Sequence, residues 1–298
     1  MPSTPSPDDS NTGAADHDRD RDSALDAYLA TAVQAAREAA AIQLAERGSD
    51  LQVSTKSSAV DLVTRVDKLC EERIRHVILA RHPGHAILGE EQGDGGGPSQ
   101  PDATPTHSSA GRRHRWIVDP LDGTVNYAHG FPFYCVSIAL EIDGTVEVGV
   151  VYDGERDELF SAVRGRGATL NGDPIGVSTT TAPRSALLAT GFAYVEDTIA
   201  LNVPVFARVL PQVQSIRRPG AAALDICYVA CGRLDGFWEL ALNSWDVAAG
   251  VLIVREAGGT VTGSGSAPYR LDDPVLVASN GHLHATLLDL LRLDQLRA

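Results

Sequence analysis

The apolar run Arg115-Trp116-Ile117-Val118 ends abruptly in two aspartates, Asp119 and Asp122, with a proline between them and a glycine and a threonine after them. In the hexapeptide Asp119-Pro120-Leu121-Asp122-Gly123-Thr124, Pro120 fixes its own φ and supplies no donor, so the turn is stiff. Such a turn could aim both carboxylates and the Leu121 carbonyl to one side. Oxygen ligands of this kind suit a hard divalent cation. A carboxylate shared between two cations would hold them roughly 3.5–4 Å apart, the spacing of two-metal phosphoryl chemistry. The backbone N–H groups of Gly123 and Thr124 could meet a phosphate, as turn and helix-start amides do, and the Thr124 hydroxyl could orient a water. The plainer reading is a strand end followed by an ordinary Asp-Gly turn, and the hexapeptide alone leaves both open.

Other acids fall in similar places. Asp67, Glu90, Glu91 and Asp246 each open or follow an apolar element, where an uncompensated carboxylate is costly to desolvate. Lys56 is the one candidate counter-charge nearby in sequence. Asp246 has a competing explanation, since it sits in the first turn of a helix that Ser244 is expected to cap, and the helix dipole favours an acid there without any metal. Ala248, Ala249 and Gly250 allow that helix start to pack closely. Glu239 ends the apolar stretch "DGFW" and is placed to face the same crevice, where it could accept hydrogen bonds from a polyol.

Several elements must position these groups. Residues 1–22 have almost no apolar content and read as a disordered acidic tail. A helix is expected from Ser23, with Asp26 completing a capping box and Leu25, Tyr28, Leu29, Ala32, Val33 and Ala36 as its buried stripe, up to Gly48. A second helix spans Thr64 to Arg81, and "HAILGEE" is a short strand leading into Glu90 and Glu91. Residues 92–114 are rich in Gly, Pro, Ser and Thr and read as a flexible loop. A hairpin-rich block follows, with turns at Asp143-Gly144, Asp153-Gly154 and Asn171-Gly172. From about residue 183 strands and helices alternate, ending in an amphipathic helix over 282–293. This organisation predicts an N-terminal α+β half over 23–182 and a C-terminal α/β half over 183–298, stacked on one another.

Composition narrows the function classes. The 298 residues are 43% hydrophobic and 21% charged, as in a globular protein. No run reaches the roughly 18 apolar residues of a membrane span, and the N-terminus lacks the order of a secretory signal, so a cytoplasmic setting is expected. The net charge of −14 argues against direct nucleic-acid binding and is compatible with gathering cations. Cys227 and Cys231 stand four apart on an expected helix, but no second Cys/His pair accompanies them. Together with Cys70 and Cys135 they read as buried free thiols.

The stretches "KSSAVDLVTRVD" (56–67), "LGEE" (88–91), "WIVDPLDGTVNYAHGFPFYCVSIAL" (116–140), "GAAALDICYVACGRLDGFWE" (220–239) and "SWDVAAGVLIVREAGG" (244–259) together resemble the inositol monophosphatase family of Mg²⁺-dependent, lithium-sensitive phosphatases. The resemblance implies the layered αβαβα sandwich shared with fructose-1,6-bisphosphatases, in the mixed α/β (α+β) class, and a homodimer. It implies two to three Mg²⁺ ions per site. Glu90, Asp119 and the Leu121 carbonyl would hold the first, Asp119, Asp122 and Asp246 the second, and Glu90 a third through water, near Lys56. Thr124, aligned by Asp67 and helped by Glu90, would position the attacking water; Glu91 adjoins this set. The Gly123 and Thr124 amides would hold the phosphate, and Asp122, Ala222 and Glu239 would contact a phosphorylated polyol. The implied reaction is hydrolysis of inositol 1-phosphate by direct attack of a metal-activated water. Relatives act on histidinol phosphate, fructose 1,6-bisphosphate, NADP or 3′-phosphoadenosine nucleotides, and some bacterial members also bind the transcription machinery. "GAAALD" and "GFWE" favour the inositol phosphate type. The long 92–114 loop and the acidic tail depart from the family pattern.

Overall fold

The structure, a computed structural model, describes residues 12–51, 53–55, 62–94, 113–193 and 196–295. Lys56, the first eleven residues of the expected tail and most of the 92–114 loop lie outside the described residues. In chain order the elements are α1 (Thr12–Glu46), β1 (Ser54–Thr55), β2 (Leu62–Val63), α2 (Arg65–Arg81), β3 (Ala86–Gly89), β4 (Gly93–Asp94), β5 (His114–Asp122), α3 (Thr124–Ala128), β6 (Cys135–Ile142), β7 (Thr145–Asp153), β8 (Glu158–Val163), β9 (Ala168–Leu170) and β10 (Asp173–Pro174). They continue with β11 (Leu187–Thr190), α4 (Glu196–Val209), β12 (Ser215–Arg217), α5 (Ala222–Ala230), β13 (Gly236–Leu240), α6 (Ser244–Glu256), β14 (Thr260–Thr262), β15 (Val275–Ser279) and α7 (His284–Leu291).

Two larger sheets carry the molecule. The first runs β10-β9-β8-β7-β6-β5-β3-β4 and the second β12-β11-β13-β15-β14. In the first, β3 and β5 are parallel while β5 to β8 form an antiparallel meander. Strand alternation sorts the side chains. Trp116, Val118, Val136, Ile138, Leu140, Val148 and Val150 pack with α1 and α2 on one face. Ile117, Cys135, Ala139 and Val151 pack with α5 and α6 on the other. The second sheet covers the far side of α5, and α4 and α7 close its outer face through Val205, Val209, Leu287 and Leu291. The order is therefore helix, sheet, helix, sheet, helix, the expected αβαβα sandwich.

Small residues allow the central layer to fit. A Cβ on Gly149 of β7 would lie 2.9 Å from the Ala249 carbonyl oxygen, and one on Gly250 would lie 2.8 Å from Ile226 Cγ2. Helix α6 is thus pressed directly on the first sheet and on α5. The four cysteines are unpaired thiols, and three of them are buried.

Two helix starts differ from the expectations. Helix α1 begins at Thr12, well before Ser23. Its N-terminal extension offers no apolar stripe, so periodicity does not show it, and ion pairs tether it instead. Arg166 donates to Asp22 and Asp26 at 2.6 Å each, and Arg21 to Glu147 at 3.1 Å. At α6, the residue in capping position is Asn243, with Ser244 already helical.

Beside α1 lies a stack of histidines. His85 stacks on His114 at 4.4 Å and on His82 at 4.9 Å between ring centroids. The Trp116 indole N–H donates to His85 Nδ1 at 3.1 Å. Burial, and then the imidazoles of His114 and His82, push His85 down to about 3. His82 is lowered by burial, Arg81 and His114. The unfolded chain takes up protons below the ordinary 6.5 that the folded chain refuses, so stability present above 6.5 is lost as pH falls towards about 3. His85→Phe keeps a ring in the stack but cannot titrate. Its melting temperature is expected to fall less steeply below pH 6.5 than that of the parent; parallel thermal-shift profiles would show that the stack does not bear on acid stability.

Candidate active site

The site is assembled at the ends of three neighbouring elements. Strands β3 and β5 run parallel with Gly89 beside Val118, so the next residues, Glu90 and Asp119, emerge side by side; the Glu90 N–H still donates to the Val118 carbonyl at 3.2 Å. Two residues three apart on a regular strand face opposite ways. Here the pairing with β6 shifts, Asp119 facing Ser137 and Asp122 facing Cys135. This bulge at Pro120 and Leu121 supplies one extra residue. It turns Leu121 into the α1–α2 core and leaves both aspartates on the α6 side.

Helix α6 brings Asp246 to the same place. Ser137, the cross-strand neighbour of Asp119, donates to the Trp245 carbonyl at 3.2 Å. One Asp246 oxygen accepts the Asn243 N–H at 2.7 Å, so this acid caps its helix and also lines the cavity. Asp122 accepts the Ala223 N–H at the start of α5, at 2.7 Å. Glu239 enters from β13 of the second sheet, against Gly191. A Cβ at Gly191 would fall 1.9 Å from Glu239 Oε2, so only glycine leaves room for the carboxylate.

Behind these groups Asp67 has two tasks. Its Oδ2 closes the capping box of α2, accepting from the Thr64 N–H at 2.8 Å and the Thr64 hydroxyl at 2.6 Å. Its Oδ1 lies 3.0 Å from Thr124 Oγ1, which is equally close to the Leu121 carbonyl. The Thr124 proton therefore points to the protein interior, and the hydroxyl lone pairs remain available. Gly123, at φ 89°, makes the turn into α3, and a Cβ there would sit 2.9 Å from the Phe133 carbonyl oxygen.

The cavity has a volume of about 450 Å³. Glu90, Asp119, Leu121, Asp122, Gly123, Thr124, Ala222, Glu239 and Asp246 all line it. Asp67 lies beneath Thr124, and Glu91 is not among the lining residues; its N–H is held by Glu71 at 2.8 Å. Burial and mutual repulsion raise every carboxyl here whose shift is resolved. Asp119 is pushed well above the usual range by burial and then by Glu90, Asp122 and Asp246. Burial carries Asp122 to about 7, against the opposing Ala223 amide. Glu239 rises to about 8 through burial and Asp122, and Asp246 rises through burial, Glu90 and Asp122.

Such a set is incomplete without positive charge. Hard carboxylate and carbonyl oxygens are the donors that Mg²⁺ prefers. Among the described residues no three acidic, histidine or cysteine side chains close a cage on their own. A cation that retains several waters fits so open an arrangement. Glu90, Asp119, Asp122, Asp246 and the Leu121 carbonyl are the groups that could hold it.

Sequence reasoning missed several participants. Arg218 lines the cavity and opposes the upward shifts of both Glu239 and Asp225, so the acids do have a cationic neighbour that the sequence reading did not name. Asp225 is fully buried on α5, and neither carboxylate oxygen has a protein hydrogen-bond partner; its one signal is an acid inside the apolar "ALDICYVA" helix. Glu71 and Arg75 form a buried ion pair at 2.9 Å. Glu71 abuts Gly89 and holds the Glu91 N–H, while Arg75 donates to the Gly93 carbonyl at 3.1 Å. This pair clamps the turn that presents Glu90, and nothing in its spacing distinguishes it from a surface i, i+4 pair.

The sequence profile of the inositol monophosphatase family matches residues 24–295. A protein of Synechocystis sp. named inositol-1-monophosphatase is 44% identical over 264 residues, 88% of either chain. The Nus factor SuhB of Pseudomonas aeruginosa is 41% identical over 265 residues, 87% of this chain and 94% of that one. Among solved structures, inositol monophosphatase from Anabaena (Nostoc) sp. shares 39% identity with a TM-score of 0.76, covering 90% of this chain and 96% of the other.

Two outcomes are expected. Asp119→Asn removes a buried carboxyl crowded by its neighbours, so it should raise the melting temperature in chelator and show none of the rise expected of the parent on adding Mg²⁺; a Mg²⁺ response equal to the parent's would exclude Asp119 as a ligand. Glu71→Gln leaves Arg75 buried without its counter-charge. It should lower the melting temperature by several degrees and weaken the apparent Mg²⁺ affinity roughly tenfold, in line with the effect of groups that orient ligands, measured by Mg²⁺ titration of turnover.

Proposed function

The chain belongs to the inositol monophosphatase family and is a phosphatase, and from that premise we propose that it hydrolyses inositol 1-phosphate to inositol and phosphate with Mg²⁺. The observation that carries this reading is the convergence of Glu90, Asp119, Asp122, Glu239 and Asp246, from both sheets and from α6, on one cavity that also holds Thr124.

In this reading Glu90, Asp119, the Leu121 carbonyl, Asp122 and Asp246 hold two to three Mg²⁺ ions. When bound, these supply Lewis-acid activation of a water and stabilisation of the departing oxygen. Asp67 orients the Thr124 hydroxyl, whose lone pairs accept a hydrogen bond from the attacking water and aim its oxygen at phosphorus. The first amides of α3, at Gly123 and Thr124, lack intrahelical partners and receive phosphate oxygens. Asp122, Ala222 and Glu239 accept or present hydrogen bonds to the polyol ring. Arg218 is the sole basic residue lining the cavity among the described residues. That favours a monophosphate carrying hydroxyls over a bisphosphate or dinucleotide. The family resemblance favours association of two copies. No helix of the described residues is long and apolar enough to cross a membrane, and the unpaired thiols suit a cytoplasmic setting.

The similarity to a protein named as a Nus factor favours a second role, as a partner of the transcription machinery, alongside catalysis. Capture of the same partners by the parent and by Asp119→Asn would separate that role from turnover.

A phosphate-release panel tests the main reading. With Mg²⁺, inositol 1-phosphate should exceed histidinol phosphate, fructose 1,6-bisphosphate and NADP in kcat/KM, Li⁺ should inhibit, and Asp246→Asn should lose on the order of 10²-fold or more in kcat, as removal of transition-state electrostatics does. A clear preference for another member of the panel would replace the substrate; full turnover by Asp246→Asn would remove the metal assignment.

A further inference from the structure

A second cavity, of about 650 Å³, lies on the other side of α6 and shares no lining residue with the first. The helix start separates them, with Trp245 and Asp246 lining one and Ser244 and Ala248 the other. Their electrostatics are opposite. In a chain of net charge −14, the second cavity is lined by Arg115, Arg164, Arg255 and Arg270 against only Glu141 and Asp272.

The internal partners leave much of this positive charge uncompensated. Arg115 pairs with Glu141 at 3.1 Å, yet its Nε is buried with no acceptor. Arg164 donates to the Val146 carbonyl at 2.8 Å, and its carboxylate contact, Glu147, is 4.0 Å away and shared with Arg21. Arg255 donates to the Tyr269 carbonyl at 2.9 Å and has no carboxylate partner among the described residues. Burial, and then the neighbouring Arg164 guanidinium, lower its pKa. Arg270 pairs with Asp272 at 3.1 Å on the exposed rim. Between these charges Leu88, Val251, Leu252 and Leu271 provide an apolar floor.

We propose that this cavity is a binding site for a small organic anion, with a phosphoryl or carboxylate head held by Arg164 and Arg255 and an apolar or ring body laid on the Val251–Leu252 floor. Planar guanidinium forks match both kinds of head in bidentate geometry, and an apolar pocket with a few convergent polar groups is the usual form of a small-molecule site. Neither the cavity nor its ligand is used by the hydrolytic chemistry.

The test is calorimetric titration of the full-length chain in chelator, where the acidic cavity repels anions and leaves the cationic one. The probe is phenylphosphonate, which has no ester bond to hydrolyse, with benzoate, inorganic phosphate and neutral benzamide as comparisons. One saturable phenylphosphonate or benzoate site is expected, the tighter of the two identifying the head. Inorganic phosphate should bind at least about tenfold more weakly for want of an apolar body, and benzamide weakest of all. Arg164→Gln/Arg255→Gln should weaken the preferred probe at least about tenfold with the melting temperature retained. Arg164→Gln alone, at a side chain 38% exposed, should show part of the loss without any threat to folding. Absence of saturable binding, equal binding of benzamide, or unchanged affinity in both variants would overturn the site.

Discussion

The structure is organised around carboxylates that crowd one another at the wall of a single cavity. Burial raises the pKa values of Asp119, Asp122 and Asp246, and the charge of Glu90 adds to the shift of each. Backbone amides hold three of the oxygens: the Leu121 N–H on Asp119, the Ala223 N–H on Asp122 and the Asn243 N–H on Asp246. Those amides belong to β5, to the first turn of α5 and to the residue that caps α6. The fold thus keeps the acids at their stations when no cation is present, and electrostatic strain is the state from which cation binding begins.

Helix α6 is the member through which the layers meet. It is pressed on the first sheet at Gly149, on α5 at Gly250, and contributes lining to both cavities. Its interior face is made of Val247, Ala248, Ala249, Val251 and Leu252, residues without the polar handles that would permit alternative registers. Cations at its N-terminal end and an anion along its flank would act on one rigid body. The two sites are therefore mechanically adjacent while remaining chemically opposite.

Much of this was legible in the residues. The acids at element ends and the strand–helix order follow from local patterns, because turns and alternation are local physics. What escaped was set by distance in space. Arg218 carries no mark in "SIRRPG" that it will face Glu239. Glu71 and Arg75 look like a solvent-facing pair until β3 is laid over them. The extension of α1 to Thr12 depends on Arg166, a residue far along the chain, and no apolar periodicity could announce it. The cationic cavity is similarly invisible, since its arginines come from β5, the turn after β8, α6 and the segment before β15.

The bulge in β5 has a further consequence. A strand counts its residues in twos, and the hexapeptide delivers an odd interval between Asp119 and Asp122 only because the ladder slips once between them. The spacing of the motif is thus a question of parity rather than of reach. Losing the extra residue together with the slip would leave the two aspartates at i and i+2 on one face, whereas keeping the interval of three without the slip would send one of them through the sheet into the α1–α2 core and bring a leucine out to face the cavity. A tolerance map of insertions and deletions along β5 would therefore read as a parity rule, in which the extra residue and the slip that absorbs it are kept or lost together.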